Sequence, residues 1–209
     1  MPNHRRAYQL KAGSLANLKL VEAPLPPPAP GEVTVAVGAI GLNFADVFAI
    51  WGLYGATPPG VFTPGLEYAG TITAVGADVD AVTVGQRVMG VTRFGGYTTA
   101  LNIDHRYVLP LPATWTLAEG AAYLVQALTA YYGLVRLGDL QAGQTVLIHS
   151  AAGGVGTFAG RIARQLGAHT IGTVGSAAKI DYLRAEGYDA WIVRDKKRFR
   201  TDLQRTLAG

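Results

Sequence analysis

Apolar and polar residues alternate with a period of two in the first half of the chain, in short runs that end at glycine or proline. Clear runs of this kind occupy residues 33–37, 70–75 and 87–91. A period of two places successive side chains on opposite faces of a strand, so each run is predicted to be a β-strand. The sequence from Arg6 to Pro112 therefore predicts a β-rich domain.

The pattern changes at Thr116. The tetrapeptide from Thr116 to Glu119 fits a capping box, in which two polar side chains satisfy backbone N–H groups at the start of a helix. The apolar run that follows, as far as Leu137, has helical length and few breakers. We therefore predict that a second domain begins here, which gives domains at residues 1–115 and 116–209.

Strand and helix patterns alternate through the second domain. Strands are predicted at 145–149, 170–174 and 190–193, and helices at 155–166, 177–186 and 197–207. Gly167 and Gly187 follow the first two of these helices, where a left-handed residue commonly ends a helix. This alternation is typical of βαβ units with a parallel sheet, so the predicted fold class is α/β in this half and β in the first.

Composition limits the class of protein. The chain has 209 residues, of which 49% are hydrophobic and 15% are charged, which suits a globular protein with a buried core. It contains no cysteine, which excludes disulfides, thiolate nucleophiles and thiolate-bound zinc. Its N-terminus has no apolar signal segment, and its least charged helical stretch, 120–135, is shorter than the roughly 20 residues of a membrane span. We expect a soluble, cytoplasmic protein.

The net charge of +4 raises the question of nucleic-acid binding. Much of the excess lies between Arg194 and Arg205, where Asp195 and Asp202 are interspersed. No aromatic-rich basic groove or known nucleic-acid module accompanies it, so we interpret this segment as a solvated helix face.

A glycine-rich loop joins the strand at 145–149 to the helix that follows. Its sequence, SAAGGVG at 150–156, lacks large side chains, so backbone N–H groups and the positive end of the helix can approach a pyrophosphate. Ala151 replaces the first glycine of the G-x-G-x-x-G pattern, and the alternative is a turn that needs glycine only for packing. We predict a nucleotide site formed by Ala152, Gly153, Gly154, Val155 and Gly156.

The residues after the next strand indicate which nucleotide binds. An acidic residue about 20 positions beyond the loop would hold the ribose 2′-hydroxyl of NAD, and the stretch 173–179 contains none. Ser176 and Lys179 can instead receive a 2′-phosphate, which favours NADPH. The alternatives are that Ser176 is only the N-cap of the next helix and that Lys179 lies on its solvated first turn.

Five motifs carry a family resemblance: AIGLNFADVFAIWGLY at 39–54, PGLEYAG at 64–70, VGQRVMG at 84–90, ALTAYYGL at 127–134 and VLIHSAAGGVG at 146–156. Together they resemble the zinc-free, quinone-oxidoreductase-type branch of the medium-chain dehydrogenase/reductase superfamily, and they are also similar to its vesicle-protein-like and enoyl-reductase-like members. The resemblance implies a GroES-like β-rich domain followed by a Rossmann domain. It also implies NADPH-dependent reduction of quinones, enones or similar activated double bonds by hydride transfer.

The resemblance also implies roles for individual residues. Asn43 would border the nicotinamide and the substrate, Thr129 would contact the cofactor, and Tyr54 would line the pocket as a candidate proton donor. Arg194 would be a third partner for the 2′-phosphate. Each has an alternative: Asn43 caps a turn, Thr129 bonds its own helix, Tyr54 fills the core, and Arg194 starts a surface helix.

Positions that hold zinc ligands in the zinc-dependent branch carry other residues here. Asn43 resembles the position of a cysteine ligand and Leu66 that of a histidine ligand, and neither can replace them, so no metal is expected. We interpret Asp46 and Glu67 as structural residues that hold loops through backbone hydrogen bonds. His149 is interpreted as a satisfied interior residue with no role in the site.

Members of the family continue beyond the position that corresponds to Gly209, so the Rossmann domain is expected to be incomplete, with its C-terminal half absent. Its parallel sheet would have three strands and an unpaired edge, which favours self-association. Two functions follow from the sequence. One is an NADPH-dependent reductase of quinones or α,β-unsaturated carbonyl compounds, and the alternative is a non-catalytic nucleotide-binding or self-assembling module.

Overall fold

The computed structural model describes residues 4–208, and its contacts divide the chain into two compact units, between Val125 and Gln126. The sequence predicts the domain limit earlier, at 115/116. The segment between the two positions packs with the first unit, because Ala121 and Leu124 share a core cluster with Ala69 and Met89. The predicted limit stays a prediction, since a compact unit and a family domain need not end at the same residue.

Two antiparallel sheets build the first unit. Their strands are β1 (His4–Lys11), β2 (Lys19–Pro24), β3 (Glu32–Ile40), β4 (Val61–Phe62), β5 (Glu67–Val75), β6 (Arg87–Val91), β7 (Ala100–Asp104) and β8 (Val108–Pro110). One sheet has five strands in the order β7-β3-β5-β6-β8, and the other has three in the order β2-β1-β4. The predicted strands at 33–37, 70–75 and 87–91 all lie in the larger sheet, which confirms the β-rich first half.

The core of the first unit follows from the alternation of its strands. Val33 and Val35 on β3 and Tyr68 and Ile72 on β5 point inward and are almost completely buried. Helix α1 (Phe44–Trp51) follows β3 and helix α2 (Leu117–Ala121) follows β8. The predicted capping box begins α2 as expected, since Thr116 Oγ1 accepts from the Glu119 N–H at 3.2 Å and Glu119 Oε2 accepts from the Thr116 N–H at 2.7 Å.

The second unit contains a three-stranded parallel sheet in the order β11-β10-β9. Its strands are β9 (Thr145–Ile148), β10 (His169–Val174) and β11 (Ala190–Val193), and its helices are α4 (Gly154–Gln165), α5 (Ile180–Ala185) and α6 (Phe199–Ala208). Gly167 and Gly187 adopt left-handed φ values of +74° and +75°. The βαβ pattern that the sequence predicts is therefore confirmed, with bounds that differ by at most three residues.

The long apolar helix predicted from Thr116 to Leu137 is wrong. It is broken into α2, α3 (Leu124–Tyr131) and a π-helical segment (Tyr132–Leu137). The break has a specific cause, because the Glu67 carboxylate accepts from the backbone N–H of Val125 at 2.9 Å and so fixes a new helix start. The predicted helix at 177–186 is similarly divided, into a 3₁₀ turn at Ala177–Lys179 and α5.

His149 is exposed, so its interpretation as an interior residue is wrong. Its Nδ1 lies 3.2 Å from Thr173 Oγ1, and its ring centroid lies 5.8 Å from that of Phe199. Strand β9 ends one residue earlier than predicted, which leaves His149 in the turn beyond the sheet rather than within it.

A buried carboxyl group holds the start of α1. Asp46 is only 1% exposed, and its Oδ2 accepts from the Asn43 N–H at 2.8 Å and from the Tyr97 hydroxyl at 3.1 Å. Burial raises the pKa of Asp46, and the two donors offset part of that rise. Asp46 therefore holds a loop through a backbone hydrogen bond, as the sequence predicts.

This burial predicts a dependence of stability on pH. A folded pKa above the ordinary value of 3.8 means that Asp46 contributes stability below about pH 3.8, and that this contribution is lost as the pH rises through the raised pKa. We therefore expect the free energy of unfolding of the wild type, relative to that of D46N, to fall from about pH 3.8 toward neutral pH. Urea unfolding at a series of pH values measures the difference.

Asp104 provides the matched control. Hydrogen bonds from Arg106, including its Nε at 3.0 Å from Asp104 Oδ1, lower the pKa of Asp104 to about 2. Its contribution is present above pH 3.8 and lost as the pH falls toward 2, so the difference between wild type and D104N changes in the opposite direction. A difference between wild type and D46N that stays constant with pH would contradict the prediction.

Candidate functional site

A tight turn connects β9 to α4. Ser150 adopts a left-handed φ of +53°, and the Gly153 N–H donates to the Ser150 carbonyl at 2.8 Å. Gly153 is the N-cap of α4, a helix of 12 residues. The first N–H groups of a helix have no carbonyl partner within it, and residues 153–155 are exposed, so this turn presents backbone donors where an anion can reach them.

The three glycines of the turn have different surroundings. A Cβ on Gly156 would lie 2.5 Å from the Ser150 carbonyl oxygen, and a Cβ on Gly154 would overlap the side-chain amide of Gln126. A Cβ on Gly153 would meet only the Ser150 oxygen, at 3.1 Å. Packing within the chain therefore requires Gly156, whose neighbours are backbone atoms. At Gly154 the Gln126 amide can move aside, and at Gly153 the Ser150 oxygen would have to yield by a few tenths of an ångström.

Ala151 fits the position of the missing first glycine because of a glycine on the neighbouring strand. It is fully buried, and a Cβ on Gly172 of β10 would lie 2.9 Å from the Ala151 Cβ. The methyl group of Ala151 thus takes the space that Gly172 leaves open. The left-handed residue of the turn is Ser150, so Ala151 needs no unusual backbone conformation.

Tyr188, which the sequence analysis missed, also holds this turn. Its hydroxyl donates to the Gly156 carbonyl at 2.7 Å, and its ring lies against Gly160, where a Cβ would be 2.6 Å from the ring. Burial raises the pKa of Tyr188, so the hydroxyl remains a hydrogen-bond donor. A tyrosine 32 residues beyond its acceptor has no local signal that would have identified it.

Ser176, Lys179 and Arg194 lie at the same edge of the parallel sheet as the turn, after the carboxyl ends of β10 and β11. Val174 pairs with Val193, and the Arg194 N–H donates to the Val174 carbonyl at 2.7 Å. All three side chains are on exposed residues. Ser176 does act as an N-cap, because its Oγ accepts from the Ala178 N–H at 3.3 Å, and this leaves its hydroxyl hydrogen available to donate.

Asn43 is held by a buried carboxylate in the first unit. Its Nδ2 donates to Glu67 Oε1 at 2.9 Å, while Glu67 Oε2 accepts the Val125 N–H at 2.9 Å. Glu67 is fully buried, and burial raises its pKa, an effect that these two donors oppose and that the nearby Asp46 charge reinforces. Asn43 is also the N-cap residue of α1, which agrees with the alternative that it caps a turn.

Tyr54 and Thr129, the other two residues predicted from the resemblance to contact the reactants or cofactor, lie in surroundings that differ from those of Asn43. Tyr54 is 39% exposed, with its ring edge-on to Phe94 at 6.5 Å, so it does not fill the core. It lies beyond the far end of α1 from Asn43, and eight helical residues span about 12 Å. Thr129 lies on α3 in the second unit and lines an open apolar groove with Leu128 and Tyr132.

An apolar groove of about 320 Å³ adjoins Asn43. Leu42 and Phe44, on either side of Asn43, are 70% and 85% exposed. The groove is completed by Leu15, Leu18, Val47, Ile50 and Tyr97. Asn43 therefore places a polar amide at the border of an apolar surface, an arrangement suited to a planar apolar molecule with one polar group.

Residues 4–208 hold no group of three or more His, Cys, Asp or Glu side chains arranged to bind a metal ion. They also include no helix long and apolar enough to cross a membrane.

Comparison with known proteins places these features in a family. Residues 29–113 match the alcohol dehydrogenase GroES-like domain. The chain is 40% identical over 177 residues to the human synaptic vesicle membrane protein VAT-1 homolog. The aligned region is 84% of this chain and 45% of that protein. It is 45% identical over 174 residues to the spectinabilin polyketide synthase system protein NorB of Streptomyces orinoci, covering 81% of this chain and 8% of that protein.

Two solved structures are similar to this chain in both sequence and fold. The Escherichia coli quinone oxidoreductase complexed with NADPH is 33% identical with a TM-score of 0.87, over 98% of this chain and 63% of that one. The CurK enoyl reductase is 34% identical with a TM-score of 0.90, over 98% of this chain and 64% of that one. The chain spans less than half of each curated relative named above and less than two thirds of each of these structures.

The predicted fold class is thereby confirmed as a GroES-like domain followed by a Rossmann-like portion with three parallel strands. The two solved structures named above are a quinone oxidoreductase and an enoyl reductase. The motifs that carry the resemblance lie in both units. The chain thus contains an alcohol dehydrogenase GroES-like domain, and in sequence and fold it is similar to the quinone-oxidoreductase-type branch of the medium-chain dehydrogenase/reductase superfamily.

Proposed function

We propose that this chain binds NADPH and forms part of a cytoplasmic oxidoreductase that reduces quinones, enones or related activated double bonds without zinc. The observation that carries the proposal is the turn at 150–156, which is exposed at 153–155 and where packing within the chain demands less of Gly153 than of Gly156. Close approach of a ligand phosphate to the backbone is the reason for a glycine at this place in the pattern. The quinone oxidoreductase of Escherichia coli, a structural neighbour, was solved with NADPH.

The residues around the turn fit a dinucleotide phosphate. Residues 152–156 would bind the pyrophosphate through backbone N–H groups and the positive end of α4. Ser176, Lys179 and Arg194 would bind the 2′-phosphate through one hydroxyl and two cations. Residues 174–179 contain no carboxylate, which a site selective for the ribose hydroxyl of NADH would use.

Asn43, Tyr54 and the apolar groove of the first unit suit the place where such an enzyme would carry out hydride transfer. NADPH, when bound, supplies the hydride. Asn43 would donate a hydrogen bond near the nicotinamide and the substrate, and the apolar groove beside it would bind a planar acceptor and exclude water. Tyr54 is the candidate proton donor, since its exposed hydroxyl can reach solvent or substrate, and Thr129 is the candidate cofactor contact in the second unit.

We propose no zinc ion because the side chains at the family's ligand positions do not suit one. Asn43 offers an amide already engaged with Glu67, and Leu66 offers only an alkyl chain. Neither can replace a thiolate or an imidazole as a tight ligand. Stabilisation of the developing negative charge would therefore fall to hydrogen-bond donors of the protein.

The function is tested by titrating NADPH into the protein and following tryptophan fluorescence, alongside NADPH oxidation with a panel of quinones and α,β-unsaturated ketones. We expect saturable binding, and oxidation that depends on the acceptor. Absence of NADPH binding would refute the proposal.

A second candidate function is a nucleotide-binding module that acts by self-association. It is supported by an exposed apolar surface on the second unit formed by Leu128, Tyr131, Tyr132 and Leu137, and by β9, which pairs only with β10 among the described residues. Binding without turnover, together with dimers in sedimentation at micromolar concentration, would favour this candidate over the first.

The different packing of two glycines predicts different effects of the same substitution. We expect G153A to weaken NADPH binding by about tenfold or more, since its methyl group would occupy space that a phosphate needs. Its loss of thermal stability should be smaller than that of G156A, because its contact with the Ser150 oxygen is longer. We expect G156A to lower the free energy of unfolding by roughly 1–3 kcal/mol, because its methyl group overlaps the Ser150 carbonyl. Fluorescence titration and thermal unfolding measure the two effects. Equal loss of stability in both variants would show that the turn needs glycine only for packing.

The two exposed cations predict cofactor preference. We expect the double variant K179A/R194A to raise the dissociation constant for NADPH by about tenfold or more and to leave that for NADH unchanged, because each cation removed is a partner of the 2′-phosphate alone. Titration with both cofactors measures this. R200A, which removes an exposed arginine on α6, is the matched control, and an equal loss of affinity for NADH would contradict the assignment.

A further inference from the structure

The hydrogen bonds of Glu67 hold loops together and also orient a neighbouring side chain, that of Asn43. Each of its two carboxylate oxygens accepts one N–H group: Oε1 takes that of Asn43 Nδ2 and Oε2 takes that of Val125, both at 2.9 Å. The carboxylate is fully buried, and a Cβ on Gly41 would lie 2.5 Å from its Oε1. The close approach of Gly41 therefore confines one side of the side chain, and the two donors hold its oxygens toward Asn43 and Val125.

This contact determines which end of the Asn43 amide faces Glu67. A side-chain amide carries a donor and an acceptor of nearly the same size, so shape alone does not fix its orientation. A carboxylate only accepts hydrogen bonds, and both of its oxygens are already acceptors here. Asn43 must therefore turn its Nδ2 toward Glu67. One of the two Nδ2 hydrogens is used in this bond, and among residues 4–208 the Nδ2 makes no second hydrogen bond.

We propose that Glu67 is a positioning residue, which acts through Asn43 by fixing its amide so that the second N–H donates to a carbonyl oxygen of the bound reactants. The inference rests on the proposed function and deepens it, because it assigns a donor where hydride addition to an enone or quinone develops negative charge on oxygen. The carbonyl can belong to the carboxamide of the nicotinamide or to the substrate, and the two are distinguished below. Val125 provides the second anchor, which keeps the carboxylate in place.

The variant E67Q tests this with a nearly isosteric change. Glutamine has one acceptor oxygen, which the Val125 N–H requires, so its NH₂ group would face Asn43. Two donors would then oppose each other, and the Asn43 amide must reverse to present its oxygen. We expect E67Q to lower the rate of NADPH oxidation by about tenfold or more while the protein remains folded. An effect on NADPH affinity would place the acceptor on the nicotinamide, and an effect on kcat alone would place it on the substrate.

A double-mutant cycle separates positioning from a merely structural role. If Glu67 acts through Asn43, the variant E67Q/N43A should be no slower than N43A, because the amide that Glu67 orients is already gone. E119Q is the matched control, since it also replaces a glutamate that accepts a backbone N–H at a helix start, and we expect it to leave the rate unchanged. Losses in E67Q and N43A that multiply in the double variant would overturn the proposal.

A measurement without cofactor tests the same inference independently. The side-chain amide resonances of Asn43, assigned by their absence from N43A in ¹⁵N–¹H NMR spectra, should shift in E67Q and remain in place in E119Q. Unmoved Asn43 resonances in E67Q would overturn the positioning role whatever the enzyme does. If the resonances shift but wild-type protein neither binds nor oxidises NADPH, the proposed function fails and the orientation of the amide by Glu67 still holds.

Discussion

The Glu67 carboxylate joins three segments of the first unit that are distant in sequence. It sits at the start of β5, receives the Asn43 side chain from the loop before α1, and receives the backbone N–H of Val125 at the start of α3. A buried carboxylate is costly unless its oxygens are hydrogen-bonded, and here each oxygen has a donor. The same two bonds that make its burial tolerable also break the predicted long helix and hold Asn43.

This interaction shows where prediction from the sequence succeeds and where it stops. Strands β3, β5 and β6 follow from alternation, and β9 to β11 follow from short apolar runs between turns, because these signals lie within a few neighbouring residues. The break before α3 depends on a residue 58 positions away, so a continuous apolar run gave no sign of it. His149 was misjudged for a related reason, since one residue at the end of β9 decides whether it lies in the sheet or in the exposed turn.

The glycine-rich turn combines local and distant requirements. Its position between a strand and a helix was evident from the sequence, as was the departure from the pattern at Ala151. The compensation by Gly172 on the adjacent strand, and the hydroxyl of Tyr188 that holds Gly156, appear only once the sheet brings them together. Gly156 is required because a Cβ there would overlap the Ser150 carbonyl, so a pattern of glycines alone overstates the evidence for a ligand. Phosphate binding is supported mainly by the exposed backbone at 153–155.

The hydrogen-bond donors proposed for ligand recognition differ in kind between the two units. In the second unit the donors are backbone N–H groups and exposed cations, whose placement follows from the ends of a helix and of parallel strands. In the first unit the donor is one amide, and its usefulness depends on which of two similar atoms is presented. Glu67 resolves that choice because a carboxylate confined beside Gly41 accepts hydrogen bonds and donates none. Buried polar contacts of this kind stabilise the fold little in net terms, and here their main consequence is the orientation of a functional group.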